Sequence, residues 1–167
     1  MLEVYNCLVT WLAPILSFTA ESAWEHRPTS LLEDTDSVHL RQFPEIPDAW
    51  ANNALADKWG KIRDVRETIT STLEPHRASK EIGSSLEAAP IVKVGNDYKD
   101  ALSNIDIADI AIVSAVTIQD GDTLEVEFAK AEGEKCNRCW KVLPEVSRHG
   151  QRICNRCDAV VNKQQAA

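Results

Sequence analysis

The sequence predicts an α+β fold in three parts: a helical segment over residues 1–88, a small α+β unit over 89–131, and a cysteine-pinned module over 132–167. Three observations divide it this way. As far as Leu73 the apolar residues recur at three- and four-residue steps, the spacing of helices with one buried face. From Ala89 that periodicity gives way to β-branched runs of strand length. Near the end, Cys136-Asn137-Arg138-Cys139 is answered by Cys154-Asn155-Arg156-Cys157, a pair of Cys-x-x-Cys knuckles.

Residues 2–26 read as an amphipathic helix with Leu8, Leu12, Ile15, Leu16, Thr19 and Ala23 on one stripe, and Pro14 kinks or divides it. Cys7, beside the stripe, is expected to be a small buried hydrophobe. Pro28 and the polar run Thr29–Ser37 make a loop, and Val38–Phe43 alternates like a short extended segment ending at Pro44. A longer helix starts near Pro47-Asp48 and puts Leu55, Trp59, Ile62, Val65, Ile69 and Leu73 on one face. Arg66 lies close to that face and needs an acidic partner or a route to its edge. Pro75 disturbs the last turns, and Gly83 is the expected stop. Lys58, Lys61 and Arg63 alternate with Asp57, Asp64 and Glu67, a solvated mixed-charge face. Ile91–Gly95, Ile110–Val116 and Leu124–Phe128 are predicted strands. A short helix is expected over Tyr98–Leu102 and a turn at Asp120-Gly121-Asp122.

The two knuckles supply four thiolates, the ligand count of a tetrahedral structural Zn2+ site with no position left for chemistry, so a zinc ribbon is expected. Two disulfides or a thioredoxin-like couple are the rivals, but neither a secretory leader nor a βαβ context accompanies the cysteines. Apolar residues between Glu132 and Val161 are few, so this segment depends on the ion to fold. The apolar run Leu8–Ala20 is broken by Thr10, Pro14, Ser17 and Thr19, is too short to cross a bilayer and has no basic residues before it. A cytoplasmic protein with no membrane-spanning part is expected.

The net charge of −8 argues against a nucleic-acid binder for the chain as a whole. It is unevenly spread. Residues 133–163 carry seven cationic against three anionic side chains, a net of +4, leaving −12 for the remainder. A cationic ribbon on an acidic body is the footprint of a local contact with RNA or DNA, or else a small module kept soluble by its charges.

The run Leu73-Glu74-Pro75-His76-Arg77, then Lys80-Glu81-Ile82-Gly83-Ser84-Ser85-Leu86-Glu87-Ala88, resembles the C-terminal part of bacterial isoleucyl-tRNA synthetases. That family passes through such a motif from the last helix of its anticodon-binding bundle into a small terminal domain. Leu12–Glu21 with Trp24 is similar to the preceding bundle helix, and Ser37–Leu40 with Phe43-Pro44 and Trp50 to the connector. Ile112-Val113-Ser114 resembles the strand before the metal site, and Lys135-Cys136-x-Arg138-Cys139-Trp140 with Ile153-Cys154-x-Arg156-Cys157 the family's terminal zinc ribbon. The likeness runs in order from about Leu8 to Val161.

The resemblance implies a non-catalytic segment that holds tRNA(Ile) for aminoacylation by a catalytic body elsewhere in the enzyme. The His-x-Gly-His element and the Lys-Met-Ser-Lys-Ser-type loop that hold ATP in class I synthetases do not occur here, so the chain alone is not expected to be an enzyme. Phosphate contacts are expected from Arg138, Lys141, Arg152 and Arg156, whose rival role is solvation. Trp140 stacks on an unpaired base or, as aromatics beside zinc ligands more often do, caps the metal site. The alternative is a structural or protein-interaction zinc module that docks on the synthetase body without touching RNA. A DNA-binding ribbon is disfavoured by the acidic body. The chain begins inside the family's helical bundle, so the first two helices lack their neighbours, and self-association or poor solubility is expected unless the two pack on each other and on the sheet.

Overall fold

Pro14 sets the first break. In a computed structural model of the chain, which describes residues 1–27, 37–146 and 152–165 (backbone only at 164 and 165), the helix predicted over 2–26 is two: α1 (Leu2–Leu12) and α2 (Ser17–Glu25). Their facing sides bury Val9, Ala13, Ala20 and Trp24 together with Val38. The Tyr5 hydroxyl donates to the Ala23 carbonyl at 2.6 Å, and the Arg27 guanidinium lies over the Trp24 ring at 3.9 Å. Cys7 is buried as expected.

Val38–Phe43 is not extended at its start: Val38–Leu40 forms a 3-10 turn. The Ser37 hydroxyl accepts from the His39 N–H at 3.2 Å and donates to the Glu21 carboxylate at 2.8 Å, and the Val38 N–H donates to the same oxygen at 3.0 Å. A local side-chain cap overrides the period-two pattern. The loop expected over Thr29–Ser37 lies, except for Ser37, outside the described residues, as does Arg148.

The chain divides into two compact units, Met1–Asn52 and Asn53–Ala167. The second opens with α3 (Asn53–Ala78), preceded by a 3-10 turn at Asp48–Trp50 where the helix start was expected. Ile62, Val65, Ile69 and Leu73 form its buried stripe and pack with Val92, Val94, Leu102, Ile107 and Val113. Leu55 and Trp59 continue the stripe in sequence but stand 48% and 40% exposed, because the core begins one turn later. Packing thus joins α3 to the sheet, whereas the sequence reading grouped residues 1–88. Arg66 takes the route to the edge: it is exposed, and its Nε donates to the Ile110 carbonyl at 3.2 Å. Pro75 stays inside α3, which ends at Ala78 rather than Gly83. Lys80 takes the left-handed position (φ 60°), and the Glu81 and Ile82 N–H groups both return to the His76 carbonyl.

The sheet has β1 (Ile91–Val94) in the middle, parallel to β2 (Thr117–Asp120) and antiparallel to β3 (Glu125–Glu127). The helix α4 (Asn96–Leu102) follows β1 as predicted. The strand predicted over Ile110–Val116 is a correction: α5 (Ile107–Ala111) occupies its start, and the strand comes later. The Asp106 carboxylate accepts from the N–H groups of Ala108 and Asp109 at 3.1 and 3.2 Å, and this N-cap fixes a helical turn that β-branched neighbours alone would not favour. Ile112 closes it at φ 56°. Pairing with β1 then begins at Thr117, opposite Ile91. The turn at Asp120-Gly121-Asp122 crosses the end of β1 to reach its other edge. A Cβ on Gly121 would sit 2.9 Å from that of Lys93, so the crossing needs glycine.

The last part holds a two-stranded hairpin, β4 (Glu134–Lys135) with β5 (Val142–Leu143), and a terminal helix α6 (Asn155–Gln165). Among the described residues no helix is long and apolar enough to cross a membrane.

A four-cysteine candidate metal centre

The hairpin presents the first knuckle between its strands, and the second straddles the start of α6, with Cys154 just before the helix and Cys157 in its first turn. The Cys136 N–H donates to the Lys141 carbonyl at 2.9 Å and the Trp140 N–H to the Cys136 carbonyl at 3.0 Å, closing a tight loop around Cys136 and Cys139. Trp140 adopts φ 69° within that loop. The Asn137 N–H reaches across to the Arg152 carbonyl at 3.0 Å, tying the first knuckle to the entrance of the second, where Arg152 takes φ 52°. The second knuckle therefore opens a helix, an element the sequence reading did not anticipate.

All four sulfurs lie within 4.8 Å of one another. The Cys139 and Cys154 sulfurs are 3.7 Å apart, which matches the roughly 3.8 Å edge of a tetrahedron whose metal–sulfur legs are about 2.3 Å. A disulfide needs about 2.05 Å, and no pair is bonded. The donor set fits a zinc ion: four soft ligands, three of them buried, in a closed arrangement.

Burial opposes ionisation at Cys136, Cys139 and Cys154. At Cys136 it is outweighed by backbone N–H groups, including that of Cys154 at 3.3 Å, and the thiol falls to about 6. Burial pushes Cys139 up to about 12 and raises Cys154 as well. Four thiolates this close repel one another, and a divalent cation among them offsets that repulsion. The Arg138 guanidinium donates to the Cys157 sulfur at 3.7 Å, adding a positive charge at the rim.

The residues expected to meet phosphate are not equivalent. Lys141 Nζ lies 2.5 Å from Asp109 Oδ1 and Arg156 Nη1 lies 2.9 Å from Asp109 Oδ2, so cations from both knuckles share one carboxylate of α5. The Lys141 hydrogen bond, with the field of Arg156 added and against the effect of burial, holds the Asp109 carboxyl below the usual range. Arg152 stands 3.4 Å from the Glu134 carboxylate. Trp140 does not lie buried over the sulfurs: it is 60% exposed, with the Lys135 ammonium 5.3 Å from its ring centre. Sequence reading missed Asp109 and Ser114. Ser114 is buried, donates to the Leu86 carbonyl and accepts from the Val142 N–H at 2.7 Å. It stands in a motif that had been read as a strand, and nothing local marks Asp109.

Residues 1–93 match the family described as the anticodon-binding domain of tRNA ligase, and residues 133–160 match the zinc finger found in FPG and IleRS. The chain belongs to the anticodon-binding domain family of tRNA ligases.

Its relatives include the isoleucine–tRNA ligase of Agrobacterium fabrum, 48% identical over 162 residues, which cover 89% of this chain and 16% of that protein. That of Zymomonas mobilis is 38% identical over 160 residues (96% and 16%). That of Ruegeria pomeroyi is 42% identical over 172 residues (95% and 17%). The chain thus spans about one sixth of the length of the relatives it matches.

Proposed function

We propose that this chain is the tRNA-holding segment of a cytoplasmic isoleucine–tRNA ligase. It binds tRNA(Ile) and positions it, while amino-acid activation and transfer are done by a catalytic body to which these residues do not contribute. The observation that carries the reading is the anticodon-binding family match over residues 1–93. The composition of the ribbon supports it, since Lys135, Arg138, Arg152 and Trp140 are exposed on a net cationic module. In this reading Cys136, Cys139, Cys154 and Cys157 hold a structural Zn2+ whose task is to stiffen the tip. Arg138 and Arg152 contact phosphate, Lys141 and Arg156 add positive field beside Asp109, and Trp140 offers a face for one unpaired base.

Binding of tRNA(Ile) to the zinc-loaded chain, followed over a salt series, tests this. Affinity is expected to fall steeply with salt, and Arg138→Ala to reduce the slope by about one. Binding indifferent to salt and to Arg138→Ala with Arg152→Ala would overturn it.

A second reading is favoured by the pairing of Lys141 and Arg156 with Asp109, which offsets two of the ribbon's cations within the chain: a ribbon that docks on protein and leaves RNA alone. Restored aminoacylation by a truncated ligase on adding this chain, with no tRNA affinity of its own, would select that reading.

The first unit leaves an apolar surface. Leu8, Trp11, Leu12, Ile15, Leu16 and Phe18 are all exposed, Phe18 at 93%. Alone in solution the chain is expected to self-associate through this face, its mass by sedimentation rising with concentration, and Phe18→Ser with Ile15→Ser to reduce the effect. A concentration-independent monomer would contradict this.

A further inference from the structure

The ribbon carries its own small core of Cys136, Val146, Ile153, Cys154 and Cys157, separate from the core that α3 shares with the sheet. The ties described between the two are polar. Asp109, on α5, takes Lys141 on one carboxylate oxygen and Arg156 on the other. Lys141 follows the first knuckle and Arg156 lies inside the second, so one side chain grips both halves of the metal module. Ser114 supplies the other tie: its hydroxyl accepts the β5 amide of Val142 while donating to the carbonyl of Leu86, in the 3-10 turn Ser85–Glu87 that precedes β1. Lys141 is only 15% exposed under this contact, and Asp109 keeps 43% of its side-chain surface in solvent.

We propose that Asp109 and Ser114 form a latch that sets the orientation of the ribbon on the α+β unit, with Asp109 acting as a positioning residue for RNA recognition. A module joined through an apolar seam tolerates the loss of one polar contact, whereas one joined through a carboxylate and a hydroxyl loses its preferred orientation with them. The cationic tip must then be ordered at the moment of binding, at a cost in affinity. The functional half of this inference rests on the RNA-binding reading; the structural half does not.

The sign of one substitution separates positioning from bulk electrostatics. Asp109→Asn removes a negative charge beside two cations, which by charge alone strengthens binding to a polyanion. The latch gives the opposite result: in the zinc-loaded chain, Asp109→Asn binds tRNA(Ile) about three- to tenfold more weakly, with unchanged metal content, and Asp109→Glu recovers part of the loss. Equal or tighter binding by Asp109→Asn would overturn the positioning role.

If the wild-type chain shows no salt-dependent tRNA affinity, the RNA-binding reading fails and the latch is tested by residual dipolar couplings. Amides of the ribbon and of the sheet are expected to share one alignment frame in the wild type and to separate in Asp109→Asn with Ser114→Ala. A frame still shared in that variant would overturn the latch.

Discussion

Stripping the metal from the zinc-loaded chain is expected to unfold the ribbon, read at 134–146 and 153–163, and to leave the three-stranded sheet protected. The ribbon core is Cys136, Cys154 and Cys157 with Val146 and Ile153, edged by Cys139, Leu143 and Val161, so its interior is largely made of ligands. The hairpin strands are two residues each, far below what stands alone in water. Structural zinc contributes about 10–16 kcal/mol in comparable small modules, and nothing else among the described residues of this ribbon replaces a term of that size. Ligation requires thiolates, so metal affinity falls as pH drops and protons compete for the sulfurs. Amide exchange before and after chelation checks the result: protection vanishes at 134–146 and 153–163 and persists at Val92 and Val94, which the α3 core covers. Cys154→Ser reproduces the pattern without a chelator. Undiminished protection of the ribbon after metal removal would show that the sulfurs pack without an ion.

Gly133→Ala is the point substitution with the next largest effect. Gly133 stands just before β4 at φ 110°, where a side chain costs about 1–3 kcal/mol in backbone strain alone. A Cβ there would lie 2.3 Å from the Leu143 carbonyl carbon and 2.5 Å from the Pro144 nitrogen, both backbone atoms with no freedom to swing aside. The two strands of the hairpin have to part, and with them the loop that sets Cys136 and Cys139. Zinc affinity is expected to fall by about tenfold or more, measured by competition with a chromophoric chelator. Gly60→Ala is the control: its Cβ meets nothing within 4 Å, and alanine in the middle of α3 is expected to add about 0.4–1 kcal/mol of stability. Equal zinc affinity in Gly133→Ala and wild type would mean that the hairpin does not set the first knuckle.

What the sequence made legible was what depends on local spacing. The stripe Ile62, Val65, Ile69 and Leu73 is buried as its periodicity requires, the break at Pro14 falls where a missing N–H puts it, and the four cysteines meet. The failures have a common cause: a local rule overruled by a cap or by a distant partner. Ile110–Val116 has the composition of a strand, but the Asp106 cap commits its start to a helix, and pairing with β1 selects Thr117–Asp120 instead. Gly83 looked like a helix stop, but Lys80 accepts the left-handed position and the chain turns earlier. The metal ligands were readable because their chemistry lies within each knuckle. The environment of the cations was not, because Asp109 approaches Lys141 from 32 residues away and Arg156 from 47.

The most direct test compares tRNA(Ile) binding by one preparation of the chain before chelation, after chelation, and after zinc is restored under reducing conditions. Strong salt-sensitive binding that is lost with the metal and regained with it is the expected result. Equal affinity in all three states would contradict the view that a zinc-pinned tip is what meets the RNA.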